Sequence, residues 1–404
     1  MNTHNSDPGR LGIDDGSHFP RASRRLRIGF VGGGRISKVQ AMAVRLTNRW
    51  EIVTGVFSAD PHRAKALATE WSIAEDRCYG TFVEMAEKES GRPDGIDAVA
   101  IMTPNNTHFE IAKCFLSAGI DVICEKPLTT TLEEALELVR LVRRTGLVFA
   151  VAHAYAAYPM VRQAKAMIAA GEIGRIRQIH VEYAQENMTN DTLTDLPHIQ
   201  WRQDPLRSGA TACTSDIGTH AHHLACFVTG LEMTRLRAEL LVCGAPKQLD
   251  DTLFVNARYD GDVPGLLWAT QAAPGNFVGL RLRVFGDKGG LQWDQENPDY
   301  LPVSRLGEPM QLYRRGFGCP IYPQAERLTR IAKGNTEGWL EAWANLYLEF
   351  SVSVAARRDS RELAPGLVQH PTVYDGARGM MFVDAVLRSH LHDGSWVDCA
   401  LPLI

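Results

Sequence analysis

The chain has 404 residues, 45% of them hydrophobic and 22% charged, the composition of an ordinary globular protein of about two to three domains, which excludes pervasive disorder. A formal charge of -4 supplies no basic field for a polyanion, so nucleic acid is excluded as a partner class and small molecules are favoured. No uninterrupted apolar run approaches the roughly 18 to 20 residues of a membrane span, so no membrane partner is expected.

The first 25 residues, MNTHNSDPGRLGIDDGSHFPRASRR, are polar, lack the apolar core of a signal peptide, and are expected to form a flexible tail. Eight cysteines without a CxxC pair read as reduced thiols, which places the protein in the cytoplasm. From Leu26, short apolar runs alternate with amphipathic stretches: LRIGFV, ISKVQAMAVRL, EIVTGVF, HRAKALATEW, and so on to LVFAVAH. Such alternation predicts right-handed βαβ units and a parallel sheet covered on both faces, an α/β Rossmann domain over residues 26–150.

The first strand runs into VGGGRIS, a GxGxxS form of the dinucleotide fingerprint with Gly32, Gly34 and Ser37; Arg35 and Ile36 open the helix that follows. Gly32 permits a tight turn, and Gly34 lets the backbone approach a pyrophosphate at the helix N-terminus. A glycine triplet is a weak signal by itself; its place between the first strand and the first helix gives it weight. After the second strand stand Ser58, Asp60 and Arg63. Ser58 and Arg63 suit a 2′-phosphate whereas Asp60 opposes one, so the cofactor is NAD or NADP, with Asp60 tipping the balance to NAD.

Ligands of open α/β sheets bind beyond the carboxyl ends of the strands. The fourth predicted strand runs out into TPNNTH, with Thr103, Pro104, Asn105 and His108 as candidate cofactor contacts. The fifth runs out into CEKP, with Glu125 and Lys126. A lysine there is placed to bind a substrate hydroxyl and stabilise its alkoxide; the plainer alternative is a surface lysine before a turn proline.

Residues 151–404 change character: after a helix at about 158–170 the segments IRQIHVEYAQ, LRAELLVCG, TLFVNARYD, GLLWATQAA and LRLRVFG are strand-like, separated by turns such as YDGD and GDKGG. They predict an α+β domain with a large, mostly antiparallel open sheet. Tyr155 and Tyr158, Gln185, Trp201 and Arg202 are candidate substrate contacts, with core packing the alternative for each. The stretch TSDIGTHAHHL sets Asp216 and His220 at i and i+4, one face of a helix, where both reach one substrate. Histidine suits the removal of a hydroxyl proton near neutral pH. A metal set of Asp216, His220 and His223 lacks HExxH or cysteine support, so none is expected; His222 and His223 read as a packed or hydrogen-bonded pair at the cleft edge.

Taken in order, VGGGRIS, IMTPNNTH, CEKP and SDIGTH resemble the Gfo/Idh/MocA family of sugar and cyclitol dehydrogenases, over essentially everything from Leu26 to the C-terminus. The resemblance implies catalysis by Lys126, Asp216 and His220 with NAD(P), acting on a ring hydroxyl of a sugar, glycoside or inositol, in a homodimer or homotetramer. Ser215 stands where the family has glycine, and His222 and His223 stand where its long-form members carry Tyr and Asn. Two alternatives are a family enzyme that retains NAD and oxidises transiently, and a non-enzymatic nucleotide sensor; the joint presence of Lys126, Asp216 and His220 speaks against the second.

Overall fold

The computed structural model describes residues 19–20, 22–317 and 321–402. Five parallel strands, β1 (Leu26–Val31), β2 (Trp50–Val56), β3 (Ala98–Ile101), β4 (Asp121–Cys124) and β5 (Phe149–Val151), lie in the order β2-β1-β3-β4-β5. The residues of β1, β3, β4 and β5 are buried almost without interruption, because crossover helices cover both faces of a parallel sheet, while the edge strand β2 is only partly covered. The helices are α1 (Arg35–Leu46), α2 (Pro61–Glu70), α3 (Phe82–Ser90), α4 (His108–Ser117) and α5 (Leu132–Thr145). Thr131 and Glu134 close a capping box at the start of α5, and Gly146, at φ 67°, ends it. TPNNTH and CEKP follow β3 and β4, not a fourth and fifth strand. Between β2 and β3 the chain makes only a single bridge, Gly55 to Cys78, and adds no strand.

Helix α6 (Pro159–Ala169) leads into the second sheet, formed by β6 (Ile176–Ala184), β7 (Met233–Leu241), β8 (Thr252–Tyr259), β9 (Val263–Thr270), β10 (Gly279–Gly286), β11 (Gly289–Asp294), β12 (Tyr300–Arg305), β13 (Gln311–Arg314) and β14 (Val397–Asp398). Its order is β13-β12-β11-β10-β6-β9-β8-β7-β14, with every neighbouring pair antiparallel except β6 and β9. The YDGD turn closes the β8–β9 hairpin with Gly261 and Asp262 at φ 72° and 60°. Three short helices, α7 (Asp191–Thr194), α8 (Pro197–Gln200) and α9 (Pro205–Ser208), precede α10 (Thr219–Thr229); α11 (Pro323–Glu326), α12 (Trp339–Arg358) and α13 (Val373–Leu391) come late.

Helices α6, α10 and α13 cover one face of the second sheet. By contrast α12 returns to the first sheet: Phe350 stacks on Trp50 at 5.4 Å, and the Trp50 indole donates to the Tyr347 carbonyl at 3.0 Å. The parallel sheet is therefore roofed by a helix from beyond residue 150. Residues 1–18 of the expected tail lie outside the described residues. The tail does not extend to residue 25, because its end finds partners far along the chain. Phe19 is buried against Leu328, Leu348 and Val352, and Arg24 clasps Asp97 through two hydrogen bonds of 2.8 and 2.9 Å.

Candidate active site

The carboxyl ends of β1, β3 and β4 open on a cleft of about 480 Å³ whose opposite wall comes from the second sheet. At the end of β1, Gly32 has φ 115°, and a Cβ there would lie 2.4 Å from the Met102 carbonyl oxygen, so no other residue fits. Gly34 caps α1, and a Cβ built on it meets nothing within 4 Å. Open space thus faces the exposed N–H groups of α1, where a pyrophosphate belongs. Arg35 and Ile36 line the cleft beside it, as do Thr103, Asn105 and Glu125. The loop fits a dinucleotide cofactor.

Lys126 projects from the end of β4 and donates to Asp216 twice, to the carboxylate Oδ1 and to the main-chain carbonyl, both at 2.6 Å. Asp216 itself lies in a wide π-helical turn, Thr214–Gly218, just ahead of α10. Asp216 Oδ2 accepts from the Gln271 amide at 2.9 Å and lies 3.3 Å from Arg202 Nε. Burial pushes the Asp216 carboxyl up, but the charges of Arg202 and Lys126 outweigh it and hold the group well below the usual carboxylate range. Beside the lysine, Glu125 accepts from Gln40 Nε2 at 2.7 Å, and burial raises its carboxyl to about 7 against the pull of Lys126.

His220 lines the cleft from α10 and packs edge-on against Tyr155 at 4.7 Å. Burial, then the charge of Lys126, lowers its pKa well below the ordinary value, so the ring is neutral near pH 7. The Tyr155 hydroxyl pairs with that of Tyr183 at 2.7 Å. Because β6 and β9 are parallel, Gln185 and Gln271 leave their strands side by side, and the Gln271 amide donates to Gln185 Oε1 at 3.2 Å. Trp201 and Arg202 form the mouth, the guanidinium lying 4.8 Å over the indole.

Tyr155, Gln185, Trp201, Arg202, Asp216 and His220 thus meet Lys126 in one cleft. Other expected positions lie elsewhere or act differently. His108 is buried with its ring nitrogens 2.9 Å from the Pro127 and Thr103 carbonyls, so it braces the two strand-end loops instead of meeting a cofactor. Pro104 starts the turn after β3 outside the lining, and Tyr158 packs in the core against Trp293. His222 and His223 are no pair at the edge: neighbours on a helix point about 100° apart. His222 stacks on Phe382, and His223 stacks on His153 and Phe227. Near the glycine loop, Arg63 donates to the Gly33 carbonyl at 3.1 Å, Ser58 Oγ accepts from Asp60 N, and Asp60 caps α2. Ser215 turns its hydroxyl to Thr211 and away from the cleft. Gln271, Tyr183, Asn187, Phe277, Trp339 and His153 carried no sequence signal; for Gln271, its place at a strand end was the only available hint.

Residues 26–153 match an oxidoreductase family with an NAD-binding Rossmann fold, and residues 161–292 match the GFO/IDH/MocA C-terminal domain. The chain is 32% identical over 390 residues to the uncharacterised oxidoreductase YfiI of Bacillus subtilis (strain 168), covering 93% of this chain and 97% of that protein. It is 26% identical over 410 residues to a levoglucosan dehydrogenase of Pseudarthrobacter phenanthrenivorans, with 93% and 98% covered. An inositol dehydrogenase homolog from Azotobacter vinelandii, solved with NADH and myo-inositol, matches at TM-score 0.86 and 32% identity over 94% of this chain and 99% of that one. The chain therefore belongs to the GFO/IDH/MocA family and is an NAD(P)-dependent oxidoreductase.

Proposed function

We propose that the enzyme oxidises a ring secondary hydroxyl of a sugar, glycoside or inositol. The observation that carries this reading is the convergence of Lys126, ionised Asp216 and neutral His220 in the cleft that the glycine loop opens. Bound at that loop, the nicotinamide cofactor supplies the hydride acceptor. His220 takes the hydroxyl proton as the carbon–hydrogen bond breaks. Lys126 has three N–H donors and commits two to Asp216, leaving one for the oxygen on which negative charge develops. Asp216 fixes the ammonium and accepts from a neighbouring hydroxyl; Gln185, Tyr155, Trp201 and Arg202 complete a wall of polar and aromatic groups suited to a polyol ring.

NAD is the favoured cofactor, since the Asp60 carboxylate, at the cap of α2, repels a 2′-phosphate, while Ser58 and Arg63 are held by local hydrogen bonds. The seven described cysteines are all free, in keeping with a reducing cytoplasm. The uncovered face of the nine-stranded sheet is the surface for a second copy in a homodimer or homotetramer.

Absorbance at 340 nm with NAD and NADP against inositols, hexoses and glycosides tests the assignment. Turnover is expected with at least one polyol, and Lys126→Ala should lower kcat/KM by about 10²–10³-fold. A flat trace throughout, with nucleotide released on denaturation, would replace free dehydrogenation with transient oxidation by retained cofactor. Undiminished Lys126→Ala activity would remove the lysine from the mechanism.

A further inference from the structure

Behind His220 lies a row of buried imidazoles that the steps above do not use. His153, just past β5, is 2% exposed and places Nδ1 3.3 Å from Nδ1 of His220. The two rings meet edge to face at 5.2 Å, and the other side of His153 stacks on His223 at 4.2 Å with planes only 8° apart. His220 lines the cleft and His153 does not. Two δ nitrogens at this separation form a hydrogen bond only when one carries the proton and the other the lone pair.

We propose that His153 is a positioning residue for His220: its Nδ1 accepts from the Nδ1–H of His220 and fixes the tautomer in which the Nε2 lone pair of His220 serves the cleft. The inference rests on His220 being the base. An acceptor nitrogen requires a neutral His153. Burial, and the facing groups His223, His220, Lys126 and His222, all disfavour a proton on it. When His220 gains the substrate proton at Nε2, its Nδ1–H becomes a stronger donor, and the bond to His153 tightens as charge develops. The stack on His223 keeps the ring of His153 from turning, and His223 in turn faces the Asp375 carboxylate.

Two variants separate this role from packing. His153→Phe keeps a ring to stack on His223 and removes the acceptor; His153→Asn loses the ring and keeps an acceptor at the δ position. The Phe variant should lose about 10- to 100-fold in kcat, with KM changed less than about twofold and the acid limb of the kcat profile moved to lower pH, because the imidazolium has lost its acceptor. The Asn variant should recover most of the loss. Independently of turnover, ¹⁵N spectra of histidine-labelled protein, assigned with His220→Asn, should show His220 protonated at Nδ1 in the wild type and as a tautomer mixture in the Phe variant. A wild-type His220 protonated at Nε2, a Phe variant with wild-type kcat and pH profile, or equal losses in both variants would overturn the proposal. If no polyol is oxidised by the wild type, the base assignment falls, while the spectra still decide whether His153 sets the tautomer.

Discussion

Glu125 is the cleft carboxyl for which ionisation is most costly. Its oxygens accept from Gln40 Nε2 at 2.7 Å and from the Lys126 main-chain N–H at 3.1 Å, and burial raises it from 4.5 to about 7. Between those two values the unfolded chain loses its proton while the folded chain keeps it, so this group lowers stability progressively as pH rises from 4.5 to about 7, and by a constant amount above that. Glu125→Gln should therefore raise stability at pH 8 by on the order of 1 kcal/mol, discounted because the side chain borders the open cleft, and change it little at pH 4. Thermal unfolding at the two pH values checks this; an equal gain at both would show that ionisation is not the cause. At this scale Lys126, Asp216 and His220 were legible because each sits in a short motif at a strand end or helix start. Gln271 and His153 were not, since only strand register and the packing of α10 bring them near. His108 shared its motif with cleft residues, and its neighbours' carbonyls decided which way it turned.

The wide turn before α10 depends on one clasp from another element. Asp250 lies just ahead of β8, and its carboxylate accepts from Ala212 N at 2.6 Å, Thr214 N at 2.9 Å and Thr214 Oγ1 at 2.7 Å. These are the unpaired donors at the start of the segment that carries Asp216. Asp250→Ala would strand two buried amides and a hydroxyl, a loss of about 2–4 kcal/mol in denaturant unfolding. The kcat should also drop, by about tenfold or more, as Lys126 loses its fixed partner. Wild-type stability in that variant would sink this account. The i, i+4 spacing of Asp216 and His220 did foretell one shared site, yet nothing in TSDIGTH announces a π turn, because the turn is imposed by tertiary bonds. Helix α12 was recognisable as a helix, but its residues from Ala342 to Val352 are all buried, so no apolar stripe told which sheet it covers.

Over the whole molecule, alternation of apolar runs revealed both sheets and their order of appearance, while the uncovered face of the second sheet emerges only when strand register aligns its outward residues. One row reads Glu239, Phe254, Trp268, Glu182, Arg281, Asp294, and the next reads Arg237, Asn256, Leu266, His180, Arg283, Gln292. Phe254 and Leu266 are 46% and 48% exposed at the centre of these rows. Arg281 pairs internally with Asp294 at 2.9 Å and Glu182 at 3.4 Å, so the face carries both charge signs and can meet its own two-fold copy without net repulsion. Apolar side chains framed by paired charges are the make-up of an association surface. The wild type should therefore run as a dimer or tetramer in light scattering, and Phe254→Glu with Leu266→Glu should shift the mass to one subunit. Because both side chains are already half in water, the exchange should change subunit stability by no more than about 0.5 kcal/mol. A wild-type monomer at micromolar concentration would mean the face is merely solvated. An unchanged assembly in the double variant would move the interface to another surface.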